Sequence, residues 1–171
     1  EDSEFDFKIQ RTSNDTYLKK NKIQTEIITD NDILENSLKL NLYSNDISID
    51  FETTVYESLN KNSTDRYEFI LPKIDLVKKI ENKTSLKGDF SFKSQNLVRN
   101  YETNIFEKSN INDLIFTSYP KITNSGFYNN YEFLIKNSNT DSEKSSKYKD
   151  DQNIYLSTLF QYNASLPLIK E

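Results

Sequence analysis

Residues 37–55 read SLKLNLY-SND-ISIDFETTV, and this stretch decides the fold. In its first half every second residue is Leu, so one face of an extended strand carries Leu38, Leu40 and Leu42. The second half alternates in the same way between apolar and polar residues: Ile47, Ile49, Phe51 and Val55 against Ser48, Asp50 and Glu52. The short polar link Ser44-Asn45-Asp46 separates the halves, so the stretch predicts an antiparallel hairpin with one apolar and one polar face.

The same two-residue period recurs along most of the chain and predicts further strands. The regular ones contain the alternating apolar residues Phe5, Phe7 and Ile9, then Phe90 and Phe92, then Tyr131, Phe133 and Ile135, and finally Ile154, Leu156, Phe160, Tyr162, Ala164, Leu166 and Leu168. Less regular strands are expected at Arg66–Ile80, Arg99–Lys108 and Asp113–Tyr119. The parity of the apolar residues slips at Pro72, which has no N–H for a ladder, so we expect a bulge or bend there.

A helical period fits only briefly, at Thr16–Ile23, and the chain is therefore predicted to be an all-β antiparallel meander. Two polar segments, Ser58–Asp65 and Asn137–Asp151, are predicted to be loops because they offer almost nothing to bury. We expect residues 1–171 to form a single β-domain segment. The chain starts at Glu1 and stops inside an apolar-rich run, so we expect an internal piece of a longer protein.

Composition excludes several classes of function. The chain has no His and no Cys, so imidazole and thiolate metal sites, a Ser-His-Asp triad and a Cys nucleophile are all absent. A formal charge of -5 disfavours a nucleic-acid partner, which needs a basic face. Asp46, Asp50 and Glu52 lie close in sequence but lack the spacing of a calcium loop. We expect no catalytic residue, no cofactor and no metal site.

A sheet with one apolar and one polar face can occur in three kinds of protein. It can be half of a soluble or secreted β-sandwich, a lipocalin-like barrel around an apolar ligand, or a membrane barrel with its apolar face toward lipid. Periodicity alone leaves all three open. Several Tyr residues near the predicted strand ends suit the aromatic girdle of a membrane barrel, and Tyr also has a high β propensity. The Tyr positions therefore favour the barrel without deciding the matter.

Short motifs along the chain resemble a known family. They are Asn14–Lys20 (NDTYLKK), Arg66–Pro72 (RYEFILP), Val98–Asn104 (VRNYETN), Ile111–Phe116 (INDLIF) and Ala164–Leu168 (ASLPL). These segments resemble the barrel domain of the lipopolysaccharide-assembly LptD family, also called organic solvent tolerance proteins, in an Asn- and Lys-rich alphaproteobacterial form. The Cys pairs of better-known members are absent from this stretch, so the resemblance does not extend to disulfide-controlled assembly.

The resemblance implies part of a large transmembrane β-barrel in the outer membrane of a Gram-negative cell. Members of the family insert lipopolysaccharide into the outer leaflet without catalysis. Their barrel holds an LptE-like plug lipoprotein, and their periplasmic jelly-roll domain receives lipopolysaccharide from an LptA-like bridge protein. In such a barrel the lipid-facing candidates are Leu38, Leu40, Leu42, Ile47, Ile49, Phe51 and Val55, and the lumen-facing candidates are Ser48, Asp50 and Glu52.

Overall fold

A computed structural model describes residues 2–23, 25, 28, 30–61 and 64–166, and these residues form one antiparallel sheet. The all-β prediction is confirmed. The elements are β1 (Asp2–Lys8), α1 (Tyr17–Asn21), β2 (Ile33–Tyr43), β3 (Ile47–Ser58), β4 (Tyr67–Ile80), β5 (Gly88–Tyr101), β6 (Ile105–Ser118), β7 (Lys121–Ile122), β8 (Tyr128–Glu143) and β9 (Asn153–Ser165). None of the described helices is long and apolar enough to cross a membrane.

The strands follow one another across the sheet as a meander. Each strand from β1 to β6 pairs with the next, β6 pairs with β8, and β8 pairs with β9. The short β7 extends the β6 side of the ladder by pairing with the start of β8. The predicted hairpin is confirmed, because β2 and β3 pair without interruption from Tyr43↔Ser48 to Ile33↔Ser58.

The expected irregularity at Pro72 is confirmed. The β3–β4 register shifts between Glu52 and Thr54, and the β4–β5 register shifts between Ile70 and Lys73. Proline has no N–H to give to either ladder, so the strand accommodates Pro72 as a bulge. The preceding peptide bond, Leu71–Pro72, is cis.

The strand expected at Arg99–Lys108 is wrong. The structure ends β5 at Tyr101 and begins β6 at Ile105, with a tight turn between them. Two turn residues adopt positive φ angles, 49° at Glu102 and 57° at Asn104. Asn tolerates this left-handed conformation because its short side chain hydrogen-bonds to nearby backbone. The turn therefore divides the predicted strand Arg99–Lys108 between β5 and β6.

The loop expected at Asn137–Asp151 is only partly right. Strand β8 continues to Glu143, and the connection to β9 occupies residues 144–152. The polar run forms a strand because Asn137 and Asn139 pair with Asn112 and Asn110 on β6, so backbone pairing and side-chain amides replace apolar burial. The loop expected at Ser58–Asp65 does lie between β3 and β4, with residues 62 and 63 outside the described residues. Leu168, assigned to the last strand, is also outside them.

The helix expected within Thr16–Ile23 is present as α1, in the connection between β1 and β2. Its Leu18 packs on Leu34 and Leu59 to form a small buried cluster, which Ile23 and Ile28 border. Arg66 ties this connection to the sheet, because its guanidinium donates hydrogen bonds to Asp15 at 2.6 and 2.8 Å. Among the described residues, Phe116 is the one buried hydrophobic side chain outside this cluster.

Gly88 begins β5 at a point of close approach, which generates a first prediction. An added Cβ would meet the carbonyl of Thr117 and lie 2.6 Å from the Phe116 ring. We expect Gly88→Ala to lower the free energy of unfolding by about 1–3 kcal/mol, because the neighbouring strand must move to admit it. Urea unfolding of the Ala variant beside Ser91→Ala, on the same strand, measures the difference. Equal midpoints for the two variants would contradict the prediction.

The contact between Asp15 and Arg66 gives a second prediction, on pH. Hydrogen bonds from Arg66 hold the pKa of Asp15 below its ordinary value of 3.8. The contribution of this contact is therefore complete above the ordinary pKa, and it is lost as the pH falls through the lowered value. We expect the amides of α1 to exchange hydrogen faster at pH 3 than at pH 6, after correction for intrinsic rates. In Asp15→Asn this extra acid sensitivity should disappear, and its persistence there would contradict the assignment.

Candidate functional site

The cross-strand register sorts the side chains of β2 and β3 onto two faces. Leu40 lies opposite Phe51, and Leu42 lies opposite Ile49. Directly paired residues share a face of an antiparallel sheet. The lipid-facing candidates from the sequence therefore all lie on one face: Leu38, Leu40, Leu42, Ile47, Ile49, Phe51 and Val55. We call this the apolar face.

The lumen-facing candidates lie on the opposite side, which we call the charged face. Glu52 pairs with Lys39, Asp50 with Asn41, and Ser48 with Tyr43. The Tyr43 hydroxyl donates a hydrogen bond of 2.9 Å to Asp50, so the polar residues of this hairpin bond to one another. The geometry thus separates the two candidate sets across the thickness of the sheet.

The apolar face is uncovered over much of its extent. Although they lie on interior strands of the sheet, Leu42 is 38% exposed and Phe133 is 39% exposed. The described residues provide one sheet and one short helix, and the helix covers only the end of β2 around Leu34. A water-soluble chain of this size would be expected to bury far more of its apolar residues.

Apolar side chains of this face form a band that we call the apolar belt, and two cross-strand rows define its course. One row crosses β1 to β4 and consists of Phe5, Leu40, Phe51 and Ile74. The other crosses β5, β6, β8 and β9 and consists of Phe90, Phe116, Phe133 and Phe160. The rings of Phe90 and Phe116 lie 4.7 Å apart between centroids, so this phenylalanine row is in contact.

The belt runs obliquely to the strands. The first row meets β5 at Asn96, whereas the phenylalanine row meets it at Phe90, six residues nearer the strand's start. At about 3.3 Å per residue this offset is about 20 Å. The centres of the two rows lie four strand spacings apart, which is about 19 Å. The belt is therefore inclined by about 45° to the strands, close to the strand tilt of about 35–45° in membrane barrels.

The charged face carries a chain of alternating charges across β1 to β4. The Glu35 carboxylate forms ion pairs with Lys8 Nζ at 2.7 Å and with Lys39 Nζ at 3.5 Å. Lys39 also lies 3.6 Å from Glu52. Further along, Lys73 bridges between strands, at 3.9 Å from Glu52 and 3.5 Å from Asp75. Pairs this exposed add little stability each, so their main effect is to neutralise the face locally.

Further along the charged face, Glu107 is a carboxylate that is only 2% exposed. It accepts hydrogen bonds from Tyr101 at 3.1 Å and from Ser145 at 2.6 Å, and Arg99 lies 4.0 Å away. Ser145 belongs to the β8–β9 connection, so this loop folds onto the charged face. Next to it, a hydrogen bond with Tyr148 raises the pKa of Lys147. Sequence reasoning missed this contact, because nothing local marks Glu107 as buried.

Sequence reasoning also missed a polar area on the apolar face, which we call the asparagine patch. Its members come from β5, β6 and β8 and are Ser94, Asn96, Asn110, Asn112, Asn137 and Asn139. On each of these strands the patch begins two residues from the row formed by Phe92, Leu114 and Ile135, on the same face of the sheet. The signal in the sequence is Asn at alternate positions. At Asn137 and Asn139 the prediction of a loop over Asn137–Asp151 hid this signal.

The sheet holds no grouping of His, Cys, Asp or Glu suited to a metal ion within its described part. Comparisons with known proteins add no relative: no protein-family model matches the sequence, and no curated protein sequence matches it significantly. The two faces of the sheet are therefore the features that bear on function.

Proposed function

We propose that this chain is a wall segment of a transmembrane β-barrel in the outer membrane of a Gram-negative cell, acting in lipopolysaccharide assembly. The apolar face contacts lipid and the charged face lines a hydrated lumen. The observation that carries the proposal is the apolar belt, which lies on one side of a single sheet, is inclined to its strands and is interrupted by Lys78 where its two rows meet. The segment acts as a wall and has no catalytic role.

The exposed belt supports the membrane part of the proposal. Phe133 on the interior strand β8 is 39% exposed and Phe7 on the edge strand β1 is 61% exposed, which is costly in water and favourable in lipid. The inclination of the belt adds to this argument. Barrel strands are tilted relative to the membrane normal, so the hydrocarbon layer contacts a different residue position on each successive strand. The belt shifts from strand to strand in the same way.

The charged face supports the lumen part. Lys39, Glu52 and Lys73 form ion pairs across three strands on the side away from the belt. A face of this kind stays hydrated and partly neutral, so it tolerates the passage of an amphiphile with a charged head group. Long strands also fit a membrane wall, since β4, β5 and β6 each have 14 residues and a spanning strand needs about 9–11.

The assignment to lipopolysaccharide rests on the resemblance to the LptD family. It brings with it an LptE-like plug lipoprotein within the barrel and an LptA-like periplasmic bridge protein that delivers lipopolysaccharide through a jelly-roll domain. The alternative is a soluble or secreted β-sandwich with a binding or adhesion role. That alternative needs a second sheet over the apolar face, and the described residues form one sheet.

Fractionation of cells that express the complete protein tests the proposal. We expect recovery in the outer membrane and a faster gel mobility before boiling than after it, as a closed barrel resists detergent. Depletion of the protein should then reduce lipopolysaccharide at the cell surface. Recovery in the soluble fraction would overturn the membrane assignment, while normal lipopolysaccharide display after depletion would overturn the transport role alone.

A substitution pair tests which face contacts lipid. Ile49 and Asp50 are neighbours in sequence on opposite faces of β3. We expect Ile49→Arg to cost roughly 2–4 kcal/mol by placing a charge against lipid, and so to reduce sharply the yield of heat-modifiable protein in the outer membrane. The matched control Asp50→Arg places the same charge on the hydrated face and should keep most of the yield. Equal yields of the two variants would refute this assignment of the faces.

A further inference from the structure

The asparagine patch occupies a defined level on the lipid side of the sheet. Its first row is Ser94–Asn112–Asn137, and it follows directly on the last apolar row of the belt in β5, β6 and β8. If the belt lies in hydrocarbon, as the proposed function holds, the patch lies at the level of the lipid head groups. The inference below rests on that proposed function.

The patch is a continuous network of amides. Asn110 Oδ1 accepts hydrogen bonds from Asn112 at 2.6 Å and from Asn139 at 3.1 Å. Asn110 in turn donates to Asn96, and Asn96 donates to Ser94 at 3.2 Å. These bonds hold the side chains in fixed positions, as in a preorganised binding surface. Among the described residues the network accounts for one of the two amide N–H groups of Asn96 and one of Asn110, which leaves the second of each for an outside acceptor.

The charge of the patch limits its ligand. Its six residues are uncharged, and beyond them Lys108 lies directly opposite Asp141, so this cation has a carboxylate as its cross-strand neighbour. The charges that border the patch on this side therefore sum to zero, which gives an anionic head group no net electrostatic attraction. Amides both donate and accept hydrogen bonds, and the hydroxyl groups of sugars do the same.

Aliphatic residues border the patch on both sides. In the row of Asn96, Asn110 and Asn139, the next residue on β4 is Ile74 and the next on β9 is Ile154. The polar strip between them spans three strands, about 10 Å across. A sugar ring has polar hydroxyl edges and apolar C–H faces, so a strip of amides between aliphatic side chains matches it in both chemistry and size.

We propose that the asparagine patch binds the uncharged sugar head group of a membrane glycolipid whose acyl chains lie along the apolar belt. Because the patch adjoins the belt, the lipid is held at both ends, by amides at its head and by apolar side chains along its tails. The ligand is a lipid of the surrounding membrane and not a soluble saccharide, since the belt supplies the contact that a free sugar cannot use.

Lipid retention by the complete protein tests this proposal. The purified protein is placed in nanodiscs of phosphatidylcholine that contain equal small amounts of monoglucosyl diacylglycerol and phosphatidylglycerol, and the lipids that stay bound after extraction are measured by mass spectrometry. We expect selective retention of the glucosyl lipid. Free glucose at millimolar concentration should not displace it, and displacement by glucose would overturn the choice of a membrane lipid.

The double variant Asn110→Leu, Asn139→Leu keeps the side-chain volumes and removes the amides. We expect its affinity for the glucosyl lipid to fall about tenfold, the effect of losing one or two good hydrogen bonds. The control Asn41→Leu changes an asparagine on the charged face and should leave retention unchanged. Undiminished retention by the double variant, or equal retention of phosphatidylglycerol by the unaltered protein, would overturn the proposal.

The same samples separate this inference from the proposed function. Heat-modifiable protein that inserts into nanodiscs but shows no preference for the glucosyl lipid would overturn the glycolipid site alone. Protein that neither inserts nor shows a mobility shift would overturn both, because the patch would then not lie at a membrane surface.

Discussion

The structure depends on a register that runs almost without interruption from β1 to β9. In an antiparallel sheet, a shift of one residue moves every side chain of a strand to the other face. A continuous register therefore carries the alternation of single strands across the sheet, and across β1 to β4 it produces two surfaces of opposite character. The apolar belt, the chain of ion pairs and the asparagine patch all form because the pairing places residues from strands distant in sequence on the same face of the sheet.

The bulge at Pro72 shows how strictly this placement is kept. Phe69 and Ile74 have opposite parity in sequence, so a regular strand would place them on opposite faces. In the structure Phe69 pairs with Val55 and Ile74 pairs with Phe51, and both of these partners lie on the apolar face. The extra residue at the bulge thus restores the apolar face on both sides of the proline. An insertion that would otherwise break the pattern is absorbed at the one position unable to donate to the ladder.

The sequence predicted what is local in this fold and missed what depends on pairing. Alternation gave the β2–β3 hairpin, and the missing N–H of proline gave the irregularity at Pro72. Polarity alone gave a loop at Asn137, because the amide partners on β6 are about 25 residues away in sequence and only the register reveals them. The inclination of the belt is of the same kind. It is a relation between strands, and no single strand encodes it.

The polar residues on the two faces of the sheet differ in charge and in their partners. On the charged face, Lys39 lies between two carboxylates, and such ionic pairs persist only where water or close partners screen them. On the apolar face, the polar residues next to the belt are amides that bond to one another. A neutral amide network costs far less than a charge near hydrocarbon. On β5, β6 and β8 the polar groups that follow the last apolar row are thus uncharged, and the next charged pair on this face, Lys108 and Asp141, lies farther from the belt. This order of apolar, neutral polar and charged groups is the distribution that a boundary between lipid, head groups and water requires.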